Sequence, residues 1–265
     1  MDTPQPIRLA VEAMATRFEI VLVGDDPVRL RAAGEAALAA VTDTEAALSR
    51  FVASSFVARL NRTAPGVALR TDPLDREWLL VADELQRLTG GAFDLCHGTD
   101  GSLELDDPGA TRVRRTSSTA RVDAGSIGKG VALDRARDEL VDAGVTRALI
   151  HGGTSTVVAL GAPPERSGWG VRVDLGDGRC VDVELVDAAL SVSAQRGQDR
   201  LPEGGHVVDA RTGTRSRAHE VVACTAPRAT LADAWTTALL ASGAAPDLRA
   251  SACARGVTVL VPGSD

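Results

Sequence analysis

The chain has 265 residues, 44% apolar and 25% charged, a balance ordinary for a soluble globular protein and unlike that of a disordered or fibrous one. Its formal charge of −7 speaks against nucleic-acid or anionic-membrane partners, which call for a basic face. The length allows one large domain or two intimate halves, and with no repeat, low-complexity linker or clear boundary a single domain over 1–265 is expected.

The N-terminal stretch MDTPQPIRLAVEAM carries two acids and two prolines and lacks the apolar run of roughly 7 to 15 residues that an export signal needs. Apolar runs elsewhere fall short of the roughly 20 residues that cross a bilayer. A cytoplasmic protein without membrane insertion is the expectation. Residues 17–23 read as a strand, β-branched or apolar at Ile20, Val21 and Val23. Asp26 and Pro27 then supply helix-start chemistry, and Leu30, Ala37, Val41 and Leu48 give that helix a buried stripe. A second helix opens at Asp72 and Pro73 and stops at Gly90 and Gly91. A third follows the turn GSIGKG and runs from about Lys129 to Ala143, with a short strand at 148–150 beyond it.

Residues 169–193 read as three strands, the first two joined by a hairpin turn at Gly176, Asp177 and Gly178. A strand at 220–225, a helix from about Arg228 to Ala241 and a strand at 256–261 close the chain. Strands in runs, with hairpins and separate helices, favour an α+β fold with mainly antiparallel sheets over a doubly wound parallel one. Cys96, Cys180, Cys224 and Cys253 have no CxxC spacing and read as small hydrophobes, neither a zinc site nor a disulfide framework.

Three segments carry candidate chemistry. In ADAWTTALL, Asp233 and Thr237 stand four apart on one helix face, where a carboxylate and a hydroxyl suit Mg²⁺. The same pair equally suits a solvated face or local capping. The string DAGSIGKGVALD holds Lys129, the single lysine of the chain, in a Gly-rich turn before a helix. Such a turn lets backbone approach a phosphate, and a compact ammonium would neutralise its charge. The string is neither a Walker A loop nor a GxGxxG fingerprint, and a plain turn remains open. In GHVVDARTG, His206 is a candidate base beside Asp209, with a structural histidine as the alternative.

Taken in order, the strings MATRF (14–18), LSRF (48–51), RLN (59–61), GGAFD (90–94), DAGSIGKGVALD (123–134), HGGTSTVVALG (151–161), GHVVDARTG (205–213) and ADAWTTAL (232–239) span most of the chain. In that order the chain resembles the FAD:protein FMN transferase family, known as the ApbE family. The resemblance implies an ApbE-like (T-fold-like) α+β architecture, FAD as donor substrate and Mg²⁺ as metal. It implies Asp233 and Thr237 as metal ligands, with the backbone carbonyl of Ser126. It implies that Asp123 and Lys129 contact FAD, and that Met14, Phe51, Ala92, Phe93, Asp94 and Val207 surround its flavin or adenosine part.

The implied reaction is attack by a Ser or Thr hydroxyl of an acceptor protein on the FMN-side phosphorus of FAD, with AMP leaving and His206, oriented by Asp209, as base. Rival readings are an FAD pyrophosphatase releasing FMN and AMP, a non-catalytic flavin-binding protein and a generic nucleotide-binding module. Ala210 stands where the family usually has proline, His151 and Thr154 where many relatives have Asn and Asp, and SVSAQRG lacks the usual TSG. Those departures bear on acceptor recognition or on contacts at the flavin edge.

Overall fold

The computed structural model describes residues 5–96, 99–176, 178–195, 207–214 and 218–261. Two strands, β1 (Ile7–Ala13) and β2 (Thr16–Leu22), pair as an antiparallel hairpin. Asp26 then starts α1 (Pro27–Leu48), its side chain accepting the Arg29 N–H at 3.0 Å with Pro27 in the first turn. After α2 (Phe56–Arg62) and β3 (Leu69–Arg70), Asp72 and Pro73 repeat that start for α3 (Pro73–Leu88). Next come β4 (Leu103–Leu105), β5 (Arg112–Arg115), α4 (Gly128–Asp142), β6 (Ala148–Gly152) and β7 (Thr156–Leu160). The chain continues through β8 (Trp169–Asp174), β9 (Cys180–Leu185), β10 (Ala189–Ala194) and β11 (Val221–Ala226), and ends with α5 (Ala229–Ser242), α6 (Pro246–Cys253) and β12 (Thr258–Leu260).

Seven strands form one sheet in the order β1-β2-β6-β7-β10-β11-β12, every neighbouring pair antiparallel. Strand alternation divides its side chains between two cores. Ile20, Ile150, Val158 and Val222 face α1, α4 and α5 in the main core, whereas Val157, Ala159, Leu190 and Ala223 face the β8–β9 hairpin. Helix α5 is apolar nearly all round because it is covered by β10 and β11 on one side and by α3 and α4 on others.

The expected α+β, mainly antiparallel architecture is present. The three strands expected over 169–193 are also present, yet they part company. β8 and β9 make a separate two-stranded sheet, while β10 joins the large one. Val173 and Leu185 of the hairpin pack on Val157 and Leu190 of the large sheet, so the two layers bury one another face to face. A further sheet, β3-β5-β4, and the short helices α2 and α6 add elements that hydrophobic periodicity did not mark. Cys96 and Cys224 are buried, Cys180 and Cys253 exposed, and all four are free. Among the described residues no helix is long and apolar enough to cross a membrane.

Candidate functional site

The centre of the site is a pair of helices that cap each other. Helix α5 begins after Arg228, which offers no side-chain cap of its own. The Asp134 carboxylate of α4 takes that role, accepting the backbone N–H groups of Ala229 and Thr230 at 2.8 Å each. In return, Asp233 of α5 accepts the Gly130 N–H at the start of α4 at 3.0 Å. Each carboxylate therefore answers the orphan donors and positive end of the other helix. Burial raises the Asp134 carboxyl above the ordinary carboxylate range, and Arg228 with the two N–H groups pulls against that rise. Gly130 is required at the crossing, since a Cβ there would lie 2.5 Å from Ala229 O and 2.7 Å from Thr230 Cα.

Asp233 is 4% exposed, and the sheet holds its other oxygen. Ser191 Oγ of β10 donates to Oδ1 at 2.9 Å, with Thr156 Oγ1 of β7 at 3.5 Å. One turn further, Thr237 Oγ1 lies 3.4 Å from Ser126 O and 3.2 Å from Asp233 O. The Asp233 carboxylate and, one turn on, Thr237 Oγ1 beside the Ser126 carbonyl offer oxygen donors of the kind that would suit a hard divalent cation. Among the described residues no group of three or more His, Cys, Asp or Glu side chains could hold a metal. A cation here would meet a single carboxylate and draw the rest of its shell from neutral oxygens, water and a ligand's phosphates.

These groups open into a cavity of about 1110 Å³. Lys129 lines it from the first turn of α4 and has no ion-pair partner among the described residues. Asp123 lines it as well, with Oδ1 accepting the Gly125 N–H at 2.9 Å and Oδ2 paired to Arg50 at 2.7 Å. On another wall, Thr89 Oγ1 receives the Phe93 N–H, and Asp94 is held by the Cys96 N–H and Gln86 at 2.7 and 2.6 Å. The Ala210 N–H donates to Ala92 O at 2.9 Å, which ties this wall to the segment carrying Val207. Met14 reaches the rim from the β1–β2 turn, where Met14 and Ala15 both have positive φ (49° and 57°) and Glu45 of α1 accepts the Met14 N–H at 2.6 Å.

Of the residues singled out in sequence, Met14, Ala92, Phe93, Asp94, Asp123, Ser126, Lys129, Val207, Asp233 and Thr237 all line this one cavity. Phe51 does not. It is 83% exposed, lies outside the cavity wall and carries the Arg50 guanidinium 4.9 Å from its ring centroid. Asp209 is also outside the wall, bound to Arg211 in an ion pair that holds its carboxyl below the ordinary range. His206 lies outside the described residues. His151, one of the departures, lines the cavity and places Nε2 3.2 Å from Glu19.

Sequence reasoning missed Thr156, Ser191, Gly130 and Asp134 as supports of the site. The available signal was polarity on an inward strand face, readable only once the register of β7 and β10 is known.

Comparison with solved structures finds the same fold in the flavin transferase ApbE of Vibrio cholerae, at 20% identity and TM-score 0.79, covering 97% of this chain and 93% of that one. The ApbE protein of Thermotoga maritima matches at 22% identity and TM-score 0.79 (97% and 94% covered). The flavinyl transferase ApbE of Pseudomonas stutzeri matches at 21% identity and TM-score 0.78 (98% and 92%). No curated protein gives a match. The family model described as "ApbE family" matches residues 97–261, more than half of the chain, and on that match the chain belongs to the ApbE family.

Proposed function

We propose that this protein transfers the FMN moiety of FAD to a Ser or Thr hydroxyl of an acceptor protein, releasing AMP, with Mg²⁺ held by Asp233, Thr237 and the Ser126 carbonyl. The observation that carries this reading is the meeting of Lys129 and Ser126, at the start of α4, with Asp233 and Thr237 of α5 in one large cavity. Membership of the ApbE family, and relatives described as flavin transferases with the same fold, support it.

A pyrophosphate needs its negative charge offset on both sides of the bond that breaks. When bound, Mg²⁺ would neutralise phosphate oxygens at the Asp233 end. Lys129, unpaired among the described residues, offers its ammonium to the same group, and the first turn of α4 adds the positive end of its dipole. Ser191, Thr156 and the Gly130 N–H fix the Asp233 carboxylate before any ligand arrives, so little reorganisation is needed. The apolar wall at Met14, Ala92 and Phe93 suits a flat heterocycle, and Asp94 has acceptor capacity to spare at its edge. In the chemical step the acceptor oxygen bonds to the FMN-side phosphorus and the phosphoanhydride bond to AMP breaks. The hydroxyl proton passes to a base, for which His206, oriented by Asp209, is the candidate.

The test is Asp233→Ala. Incubation of the wild type with FAD, Mg²⁺ and source lysate should yield AMP and a protein carrying covalent flavin fluorescence. Asp233→Ala should lose both by at least about 100-fold while its circular dichroism stays native. Turnover of FAD by the variant at the wild-type rate would remove Asp233 from the site. FMN and AMP without any flavin-bearing protein would make the chain a pyrophosphatase instead.

A further inference from the structure

The same cavity is also lined by β8, whose residues 170–174 line the wall without a gap. Side chains of a strand alternate between faces, so an unbroken run of lining residues means that the strand meets the cavity along its edge. Among the described residues that edge is open: β8 pairs there only with β9, Trp169↔Leu185 through Asp174↔Cys180. Beyond the last pair the Leu175 N–H donates to Arg179 O at 3.0 Å, which closes the hairpin with a hydrogen-bonded pair. Antiparallel ladders alternate hydrogen-bonded and non-bonded pairs. Counting back from Leu175, Val173 and Val171 bond to β9, while Gly170, Arg172 and Asp174 turn their N–H and C=O groups away from it and have no recorded backbone partner there among the described residues.

Three further observations prepare that edge for an occupant. Arg172 is drawn back across the hairpin by Asp182, with two bonds of 2.8 and 3.0 Å, so its side chain is held on the β9 side. A Cβ built on Gly170 meets nothing within 4 Å. Leu149 and Val192 of the large sheet, both only partly buried, line the same cavity beside the hairpin and give it an apolar floor.

We propose that the open edge of β8 receives an extended segment of the acceptor protein as an added strand, which leads the reacting Ser or Thr to the phosphate site. The inference rests on the flavin-transfer reading and extends it to how the acceptor is recognised. A strand repeats its edge donors and acceptors every two residues, about 6.6 Å, the same spacing as Gly170, Arg172 and Asp174. FAD carries no such repeat. Because the edge and Lys129 open into one cavity, a segment lying on β8 is continuous with the reacting phosphorus. Affinity would come from main-chain bonds and selectivity from alternate side chains on the apolar floor.

The test uses a synthetic peptide, acetyl-Val-Thr-Val-Thr-Val-Thr-Val-amide, and two N-methylated versions, one blocked at every Thr nitrogen and one at every inner Val nitrogen. Binding to the FAD-loaded protein is measured by calorimetry in EDTA, where no turnover occurs, and covalent flavin on the peptide by mass spectrometry with Mg²⁺. The unblocked peptide should bind and be flavinylated, and one methylation pattern should weaken binding at least about 10-fold more than the other, because only one strand edge faces β8. Arg172→Pro, which removes an outward N–H, should weaken the peptide at least about 10-fold more than it weakens FAD. Equal effects of the two patterns, no saturable binding up to about 1 mM, or parallel losses of peptide and FAD in Arg172→Pro would each overturn the proposal. If the wild type neither binds nor consumes FAD, the flavin reading itself has failed. If it consumes FAD while the peptides show no pattern, the edge proposal alone has failed.

Discussion

Replacing Asp134 tests whether the mutual capping of α4 and α5 sets the geometry of the site. In Asp134→Ala the N–H groups of Ala229 and Thr230 lose their acceptor in a place where Asp134 itself is only 2% exposed. A buried donor left unpaired costs about 1–3 kcal/mol, so two cost about 2–6 kcal/mol, less whatever water recovers. Arg228 keeps Asp138, at 2.6 and 2.8 Å, and is not orphaned. Asp134→Asn retains one acceptor and nearly the same volume, and should lose about half as much. Urea unfolding gives the stability difference at constant slope, and flavin fluorescence gives FAD affinity on the same samples. If capping positions the site, FAD affinity falls in both variants even well below the unfolding transition, and Asn lies between wild type and Ala. A stability loss below about 0.5 kcal/mol in Asp134→Ala, or FAD affinity unchanged in a clearly destabilised variant, would refute this account.

Gly130→Ala places a methyl group against backbone atoms of α5 that cannot swing aside, so we expect a loss of about 1–3 kcal/mol and weaker FAD binding as Asp233 shifts from the Gly130 N–H; denaturation and fluorescence titration check both. Asp75, buried and accepting the Trp78 Nε1–H at 3.2 Å, has its carboxyl pushed up to about 6, first by burial and then by Asp72. A folded value above the unfolded one means that its stabilising contribution is complete below about pH 4 and is lost as pH rises through about 6, by up to roughly 3 kcal/mol. Asp75→Asn, which mimics the protonated form, should therefore be more stable than wild type at pH 8 and close to it at pH 4.5, as read from melting curves at the two values.

Much of the fold was legible where its cause is local. Asp26 with Pro27 and Asp72 with Pro73 announce their helices because N-caps bond to residues only three positions on. β1 was missed although Ile7, Leu9 and Val11 alternate, and α2 was missed because seven residues are too few for a period to declare itself. The separation of β8 and β9 from β10 has no local cause. All three strands alternate alike, and only packing between Val173 and Leu190 layers decides which sheet each joins. In the site, the ordered motifs led to Lys129, Asp233 and Thr237. Thr156 and Ser191 were invisible because a hydroxyl in a strand has no meaning until the carboxylate it faces is known. Phe51 shows the converse, since an aromatic ring in sequence does not reveal that it will stand in solvent beside Arg50.

The two-residue turn at Met14 and Ala15 bears on how this protein can be made sturdier. Left-handed backbone at two successive non-glycine residues is worth of order 1–3 kcal/mol each in conformational strain. Tight hairpins normally place Asn-Gly there, which would relieve most of it. Glycine in place of Met14 would also strip the rim of the side chain that closes it, whereas Ala15 contributes only a methyl group. The hairpin thus separates into one position where rigidity and function compete and an adjacent one where they do not, and an effort to raise thermal tolerance would begin at Ala15 and leave Met14 alone.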